Sequence, residues 1–286
     1  MATRPQQETI YLLGASGKIG RMFRAIWPDL DGGAHDLIPV FRKPCQLDKA
    51  IFWEPGKPFQ ELPKATAVIA LWGVTGNCAE QLTMNSALAL AANDFAKRVG
   101  AGRVFHFSSA AIYQPQAGPI SEDSEPGPIS LYGESKLRME QDLNALATKT
   151  CDCPFSVILR VGNVAGAERL FSNLRPGGTV TLDRFSDGTG PSRSYVAPSD
   201  LVRSVLCLLR LKQPPRVVNI AAPRPTHMED IVRAAGGKVE WRSAVEDAVP
   251  IVWLDTSKIE EICKMHPDAS DAGFLVRDAR RSGVWP

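Results

Sequence analysis

The stretch Thr9-Ile10-Tyr11-Leu12-Leu13-Gly14-Ala15-Ser16-Gly17-Lys18-Ile19-Gly20-Arg21-Met22-Phe23-Arg24-Ala25-Ile26-Trp27 decides the fold. Ile10 to Leu13 is an apolar run of strand length. After Lys18 the apolar residues fall at positions 19, 22, 23, 26 and 27, which is helical spacing. Three glycines therefore stand where a strand gives way to a helix. In such a turn Gly14 allows the tight bend, Gly17 lets the backbone approach a pyrophosphate, and Gly20 lets the helix pack closely on the strand. The helix start offers unpaired N–H groups and the positive end of its dipole to that anion. Gly14, Ser16, Gly17, Lys18, Ile19 and Gly20 are the candidate cradle. With 23 glycines in 286 residues, a Gly-rich turn of an ordinary α/β unit would produce the same triplet. Its place between strand and helix favours dinucleotide binding.

The bulk of the chain allows one large core, or a core with a smaller lobe. Lys plus Arg number 33 against 31 Asp plus Glu, so no strongly basic face for nucleic acid is expected. No apolar run approaches bilayer length, so no membrane partner is expected either. The opening Met1 to Glu8 is polar and lacks the apolar core of a secretory signal. Six cysteines, at 45, 78, 151, 153, 207 and 263, are scattered through the chain and fit reduced thiols in a cytoplasmic protein. Cys151-Asp152-Cys153 is poor zinc spacing, and no metal site is expected.

Outward from the glycine loop the chain alternates strands and helices. Asp36 to Phe41 reads as a second strand despite Pro39, and Ile51-Phe52-Trp53 as a short third. Ala67 to Leu71 has the continuous apolar character of a buried parallel strand. It runs into Trp72-Gly73, where the middle of a dinucleotide would pass. Gln81 to Arg98 reads as a helix, Arg103 to Phe107 as a strand, and His106 inside it as a packed core histidine. A polar, proline-rich loop spans Gln114 to Pro128. Leu131 to Ala147 reads as a helix, Phe155 to Val161 and Val217 to Ile220 as strands. Ser199 reads as the N-cap of an apolar helix through Leu211, and Thr226 with Glu229 as a capping box. The implied architecture is α/β: a Rossmann-type doubly wound parallel sheet, order 3-2-1-4-5-6 plus a C-terminal strand. Residues 1–164 are expected to form its dinucleotide-binding domain and 196–222 to return to it, while 165–195 and 223–286 build a smaller substrate-binding lobe.

Two positions bear on the cofactor. Folds of this type that hold NAD usually carry an acidic residue at the end of the second strand for the ribose 2′-OH. Here that end reads Phe41-Arg42-Lys43. A guanidinium suits the 2′-phosphate of NADP by charge and planar geometry, although two basic residues on an exposed turn are common. NADP is therefore the expected cofactor, through Arg42, with NAD the alternative.

The chemistry is read from Tyr132 and Lys136, four apart on a helix and so on one face. A phenol titrates near 10 in isolation, and a neighbouring ammonium lowers that value. Such a pair can exchange a proton with an alcohol or alkoxide beside a nicotinamide. Ser109 stands at the carboxyl edge of a central strand, where ligands bind in such sheets. Its hydroxyl can hold the same substrate oxygen.

With these residues in view, the chain resembles an extended short-chain dehydrogenase/reductase of the NAD-dependent epimerase/dehydratase family. The likeness is carried by Gly14/Gly17/Gly20, Ser108-Ser109-Ala110-Ala111-Ile112-Tyr113, Tyr132-Gly133-Glu134-Ser135-Lys136, Arg160-Val161-Gly162-Asn163-Val164 and Arg193-Ser194-Tyr195-Val196-Ala197-Pro198-Ser199-Asp200-Leu201. The resemblance implies catalytic roles for Ser109, Tyr132 and Lys136, a Lys136 contact to the nicotinamide ribose, and substrate contacts from Ser109, Asn163 and Arg193 to a nucleotide sugar. Departures matter too. Family dehydratases follow the serine with Asp-Glu, where this chain has Ala110-Ala111, so dehydration is not expected. The usual Arg-Asp-Tyr-x-His has become Arg193-Ser194-Tyr195-Val196-Ala197, and the segment from Asn163 to Arg193 is short. Both weigh against a nucleotide sugar. The expected reaction is NADPH-dependent reduction of a sugar-like or other small carbonyl compound. A nucleotide-sugar 4-epimerase and a non-catalytic NADP-binding redox sensor are the alternatives, and a homodimer is the assembly carried forward.

Overall fold

A computed structural model describes residues 8–43, 47, 49–58, 61–76, 78–150 and 152–286. Cys45, Cys151 and residues 1–7, on which the Cys-Asp-Cys and polar-start readings rest, lie outside the described residues. The first half of the chain runs β1 (Glu8–Leu13), α1 (Lys18–Asp31), β2 (His35–Phe41), β3 (Ile51–Phe52), β4 (Ala67–Ala70), α2 (Ala79–Leu82), α3 (Met84–Arg98) and β5 (Arg103–Ser109), ending in a 3-10 turn (Ala110–Ile112). Then follow α4 (Leu131–Lys149), β6 (Phe155–Val161), β7 (Asn163–Val164), α5 (Arg169–Asn173), β8 (Thr179–Arg184), β9 (Ser192–Arg193), β10 (Tyr195–Val196), α6 (Pro198–Arg210) and β11 (Val217–Ile220). The last stretch holds β12 (Thr226–His227), α7 (Met228–Ala234), β13 (Lys238–Ser243), β14 (Ile251–Val252), α8 (Ser257–Ile262) and α9 (Ala272–Arg281). No helix among the described residues is long and apolar enough to cross a membrane.

Seven strands form one sheet in the order β3-β2-β1-β4-β5-β6-β11, as the sequence predicts. Pairing around β1 is parallel, with Ile10 beside Leu37 on one side and Ala67 on the other. Ile10 to Leu13 are wholly buried because helices cover both faces. Tyr11 and Leu13 point to the side where Ala92, Phe95 and Ala96 of α3 pack. On the opposite side Phe23 of α1 meets Phe107 of β5 edge-on, with ring centroids 5.9 Å apart. Each fully buried Leu or Ile contributes about 1.5–3 kcal/mol. That outweighs the one ladder bond Pro39 cannot make, worth about 0.5–1.5 kcal/mol, and Pro39 keeps its place in β2 opposite Leu12.

Contacts divide the chain into two compact units: Met1–Ile112 with Pro128–Leu159 and Leu211–Val217, and Tyr113–Gly127 with Arg160–Arg210 and Val218–Pro286. The second has its own core, in which Phe171 of α5, Leu182 of β8, Ile231 of α7 and Leu275 of α9 pack together. Trp285 closes it, its ring N–H donating to the Phe171 carbonyl at 2.8 Å. Small sheets order the rest of that unit, the longest pairing β8 with β13 in parallel from Thr179 and Lys238 onward.

Four local expectations are corrected. The helix expected from Gln81 is two, broken at Thr83, whose hydroxyl bonds back to the Glu80 carbonyl at 2.6 Å. The strand expected to end at Phe107 continues to Ser109. Ser199 is not an N-cap. The helix begins at Pro198, a favoured first position, and Asp278 of α9 accepts the Ser199 N–H at 2.8 Å. The Thr226–Glu229 capping box does not form, because Thr226 donates to the Ser270 carbonyl at 2.9 Å and Glu229 pairs with Arg233.

The glycine loop is a place where backbones touch. A Cβ on Gly14 would lie 2.5 Å from the Trp72 nitrogen, and Gly14 adopts φ +83°, which disfavours other residues. A Cβ on Gly20 would lie 2.4 Å from the Gly14 carbonyl oxygen. Gly20→Ala is therefore expected to lower stability by about 1–3 kcal/mol through overpacking, read as a lower urea midpoint.

His106 is 1 % exposed, with Nε2 3.1 Å from the Asn93 amide nitrogen. Burial, then the Lys136 and Arg216 charges, push its ring down to about 3. The folded protein thus keeps it neutral, while the unfolded chain takes up a proton near 6.5. Protons bound only in the unfolded state make stability fall as pH falls, by up to about 1.4 kcal/mol per pH unit per site. Urea midpoints should drop from pH 7 to pH 5, and His106→Gln should flatten that slope.

Candidate active site

Within the first unit, β5 and α4 bring the predicted chemistry together. β5 ends at Ser109 and the chain turns at once into the 3-10 segment, where the Ser109 hydroxyl accepts the Ala111 N–H at 3.1 Å. α4 starts at an N-cap, Ser130, whose side chain accepts the Gly133 N–H at 3.1 Å. A Cβ on Gly133 would sit 2.1 Å from the Ala111 carbonyl oxygen. Only a glycine there lets the first turn of α4 lie against the end of β5. The result is that the Ser109 side chain comes close enough to the Tyr132 phenol to influence its titration.

Lys136 follows one turn later. It is 5 % exposed, its Nζ donating to the Phe107 carbonyl at 2.8 Å and lying 5.9 Å from the centre of the Tyr132 ring. A Cβ on Gly73 would meet that Nζ at 3.4 Å, so the exposed Gly73 beyond β4 keeps the amine's surroundings open. Trp72 is half-buried, and its ring N–H has no partner among the described residues. Asn85 of α3, which the sequence reading missed, holds this stretch in place. Its Oδ1 accepts the Val74 N–H at 2.9 Å, and its Nδ2 donates to the Val74 carbonyl and to Ser135 of α4. The sequence carried no signal for it, because its burial and its partners arise only in the fold.

Burial governs the protonation states. Desolvation raises the Tyr132 phenol, against a smaller downward pull from the Ser109 side chain. The expected lowering by Lys136 does not prevail, and Tyr132 is held as the neutral phenol, a proton donor. Desolvation also lowers the Lys136 amine to about 8, opposed by the Glu140 carboxylate.

The glycine loop fits a dinucleotide diphosphate. Lys18, Ile19 and Gly20 precede the first intrahelical bond, from Arg21 N to Gly17 O at 2.9 Å, so their N–H groups lie at the helix start. Ser16, Gly17 and Lys18 are exposed, and a Cβ on Gly17 would meet nothing nearer than the Gly14 oxygen at 3.4 Å. Arg42 and Lys43 are exposed immediately after β2. The carboxylates Asp31 and Asp36 lie at the strand's other end, on His35 at 2.6 Å and Lys49 at 3.2 Å respectively.

Asn163 and Arg193 belong to the second unit. Asn163 pairs with Tyr195 between β7 and β10, and the Tyr195 hydroxyl donates to Glu168 at 3.4 Å. Arg193 is half-buried on β9, its guanidinium donating to the carbonyls of Ser192, Val249 and Pro250.

Three comparisons bear on this arrangement. A sequence profile described as the NAD dependent epimerase/dehydratase family matches residues 10–221. A UDP-glucose 4-epimerase of Azospirillum brasilense is 44% identical over 72 residues, 25% of this chain and 20% of that protein. The match thus spans about a fifth of the curated relative's length. Among solved structures, a UDP-glucuronic acid 4-epimerase of Bacillus cereus in complex with UDP-glucuronic acid and NAD superposes with TM-score 0.73 at 20% identity, covering 96% of this chain and 99% of that one. TunA, described as an NAD dependent NDP-hexosamine 5,6-dehydratase, gives TM-score 0.74 at 20% identity, covering 98% and 99%. At that identity these structures speak for the fold. The profile spans the glycine turn, the Ser109–Tyr132–Lys136 group and Arg193, and the chain belongs to the NAD dependent epimerase/dehydratase family.

Proposed function

We propose that the protein acts on one carbinol carbon of a nucleotide sugar and inverts it, as a 4-epimerase. The observation that carries the reading is the placing of Ser109 beside the Tyr132 phenol with Lys136 one turn away, backed by the epimerases among its relatives. A bound nicotinamide dinucleotide supplies the hydride chemistry. Ser109 holds the substrate oxygen. Tyr132, kept a phenol by burial, moves a proton at that oxygen. Lys136 steadies the phenolate present whenever that proton is on the substrate oxygen, and binds the ribose. Gly14, Ser16, Gly17, Lys18, Ile19 and Gly20 hold the diphosphate, with Trp72 and Gly73 bordering the ribose. Asn163 and Arg193 take the substrate's own diphosphate. A guanidinium has five donors, so Arg193 retains capacity beyond its three carbonyl contacts.

A second reading is net reduction of a carbonyl by NADPH. Arg42 and Lys43 favour it: they follow β2 where the acid that would read an unphosphorylated ribose is missing. An epimerase returns its hydride to the same substrate and gains nothing from a pool of NADPH. The relatives solved with NAD favour the first reading, which takes NAD as cofactor.

Incubation with UDP-sugars and with small keto compounds separates the two, using nicotinamide absorbance and product stereochemistry by NMR. Epimerisation gives inverted product with no net absorbance change. Stoichiometric loss of NADPH overturns it in favour of reduction, and binding without turnover in favour of a redox sensor. Under either catalytic reading Tyr132→Phe should slow turnover by about 10²–10⁴-fold. A weaker grip on NADPH, but not NADH, in Arg42→Ala would mark the 2′-phosphate site.

A further inference from the structure

The row of α4 that carries Tyr132 and Lys136 continues, at the same four-residue spacing, to Glu140. Glu140 is 3 % exposed. Its Oε1 accepts a hydrogen bond from the Ser108 hydroxyl at 2.5 Å, and Ser108 is itself buried beside Ser109. A carboxylate so placed is costly unless its charge is answered. The groups facing Lys136 are few. From α4 they are Tyr132, a phenol, Met139, whose sulfur lies 3.9 Å away, and Glu140. From β5 they are the Phe107 carbonyl and the neutral His106 ring. From α3, Asn85 reaches this part of the site only as an uncharged amide.

We propose that Glu140 is a positioning residue of the active site: it ties the Ser108–Ser109 end of β5 to α4 and stands one helical turn from Lys136 as its buried counter-charge. The proposal rests on reading Ser109, Tyr132 and Lys136 as the catalytic group. The two effects use different atoms of one environment. Through Ser108 the carboxylate restrains the residue next to Ser109, whose side chain neighbours the Tyr132 phenol. Through space it opposes the desolvation that already brings the Lys136 amine down to about 8. Without that opposition the ammonium would be lost nearer neutrality, and with it the charge offered to a ribose and to the phenol.

Glu140→Gln keeps the shape and an acceptor for Ser108 while removing the charge. Dinucleotide affinity of the wild type should weaken as pH rises through about 8, where Lys136 loses its proton. In Glu140→Gln that weakening should begin about one pH unit lower, making binding at pH 8 roughly fivefold weaker than wild type. Ser108→Ala keeps the charge, so it should lower kcat and leave the onset where it is. A folded Glu140→Gln protein with the wild-type onset overturns the proposal. If that variant does not fold, ¹⁵N-lysine NMR of the wild type decides. A Lys136 Nζ signal, identified by its loss in Lys136→Met, that titrates at about 8 or above supports it, and titration below pH 7 overturns it. Undiminished turnover in Tyr132→Phe would instead refute the underlying catalytic assignment, since the Lys136 titration does not depend on that phenol.

Discussion

At Gly14 three backbone segments meet with no room for a side chain: the end of β1, the start of α1 at Gly20, and the chain leaving β4 at Trp72. Everything functional in the first unit is referred to that contact. It sets how closely α1 lies on the sheet, and it brings the Trp72–Val74 stretch to the sheet's carboxyl edge. Asn85 then couples that stretch to α4 through Ser135. A second contact of the same kind, Gly133 against the Ala111 carbonyl, carries α4 to the end of β5. Two glycine-dependent approaches thus place the glycine turn and a phenol in one frame, and neither could be relaxed by a side-chain rotamer.

Burial then selects the chemical forms. In the strip shared by α3, β5 and α4, the His106 ring is kept neutral, the Tyr132 phenol is kept protonated, and the Lys136 amine is drawn toward neutrality. The cost of burying these groups is met by specific partners, among them Asn93 for His106, the Phe107 carbonyl for Lys136 and Ser108 for Glu140. Unpaired, each would cost about 1–3 kcal/mol or more. The same partners that make the strip affordable therefore make its geometry hard to change.

The second unit is organised by polar groups as well as by its apolar core. Arg160 donates to the Tyr113 hydroxyl at 2.8 Å and to the Glu122 carbonyl at 2.9 Å, and the Tyr113 hydroxyl in turn reaches Asn219. Asn219 returns to the loop through Ile120 and Glu122. The proline-rich segment between Tyr113 and Gly127, which reads as a featureless loop, is thereby anchored along its length. Arg193 likewise spends part of its guanidinium on the carbonyls of residues 249 and 250.

Strand identity, sheet order and the Ser109, Tyr132 and Lys136 group were legible in the sequence because each rests on local pattern. Continuous apolar runs mark buried parallel strands, glycine at a strand-to-helix turn marks the cradle, and four-residue spacing puts two side chains on one helix face. Helix starts were less legible. Ser199 and Thr226 carry good capping side chains, yet Asp278 and the Ser270 carbonyl, 79 and 44 residues away, decided where the bonds went. Asn85 and Glu140 were invisible for the same reason, since their partners Val74, Ser135 and Ser108 come from other elements. The direction of the Tyr132 shift also escaped the sequence, which reveals a nearby lysine but not the depth at which the phenol is buried. Local pattern by itself determined the elements and which side chains are candidates for the site. Only the tertiary structure decided their partners and protonation, because desolvation and long-range hydrogen bonds exist only once distant segments have closed around them.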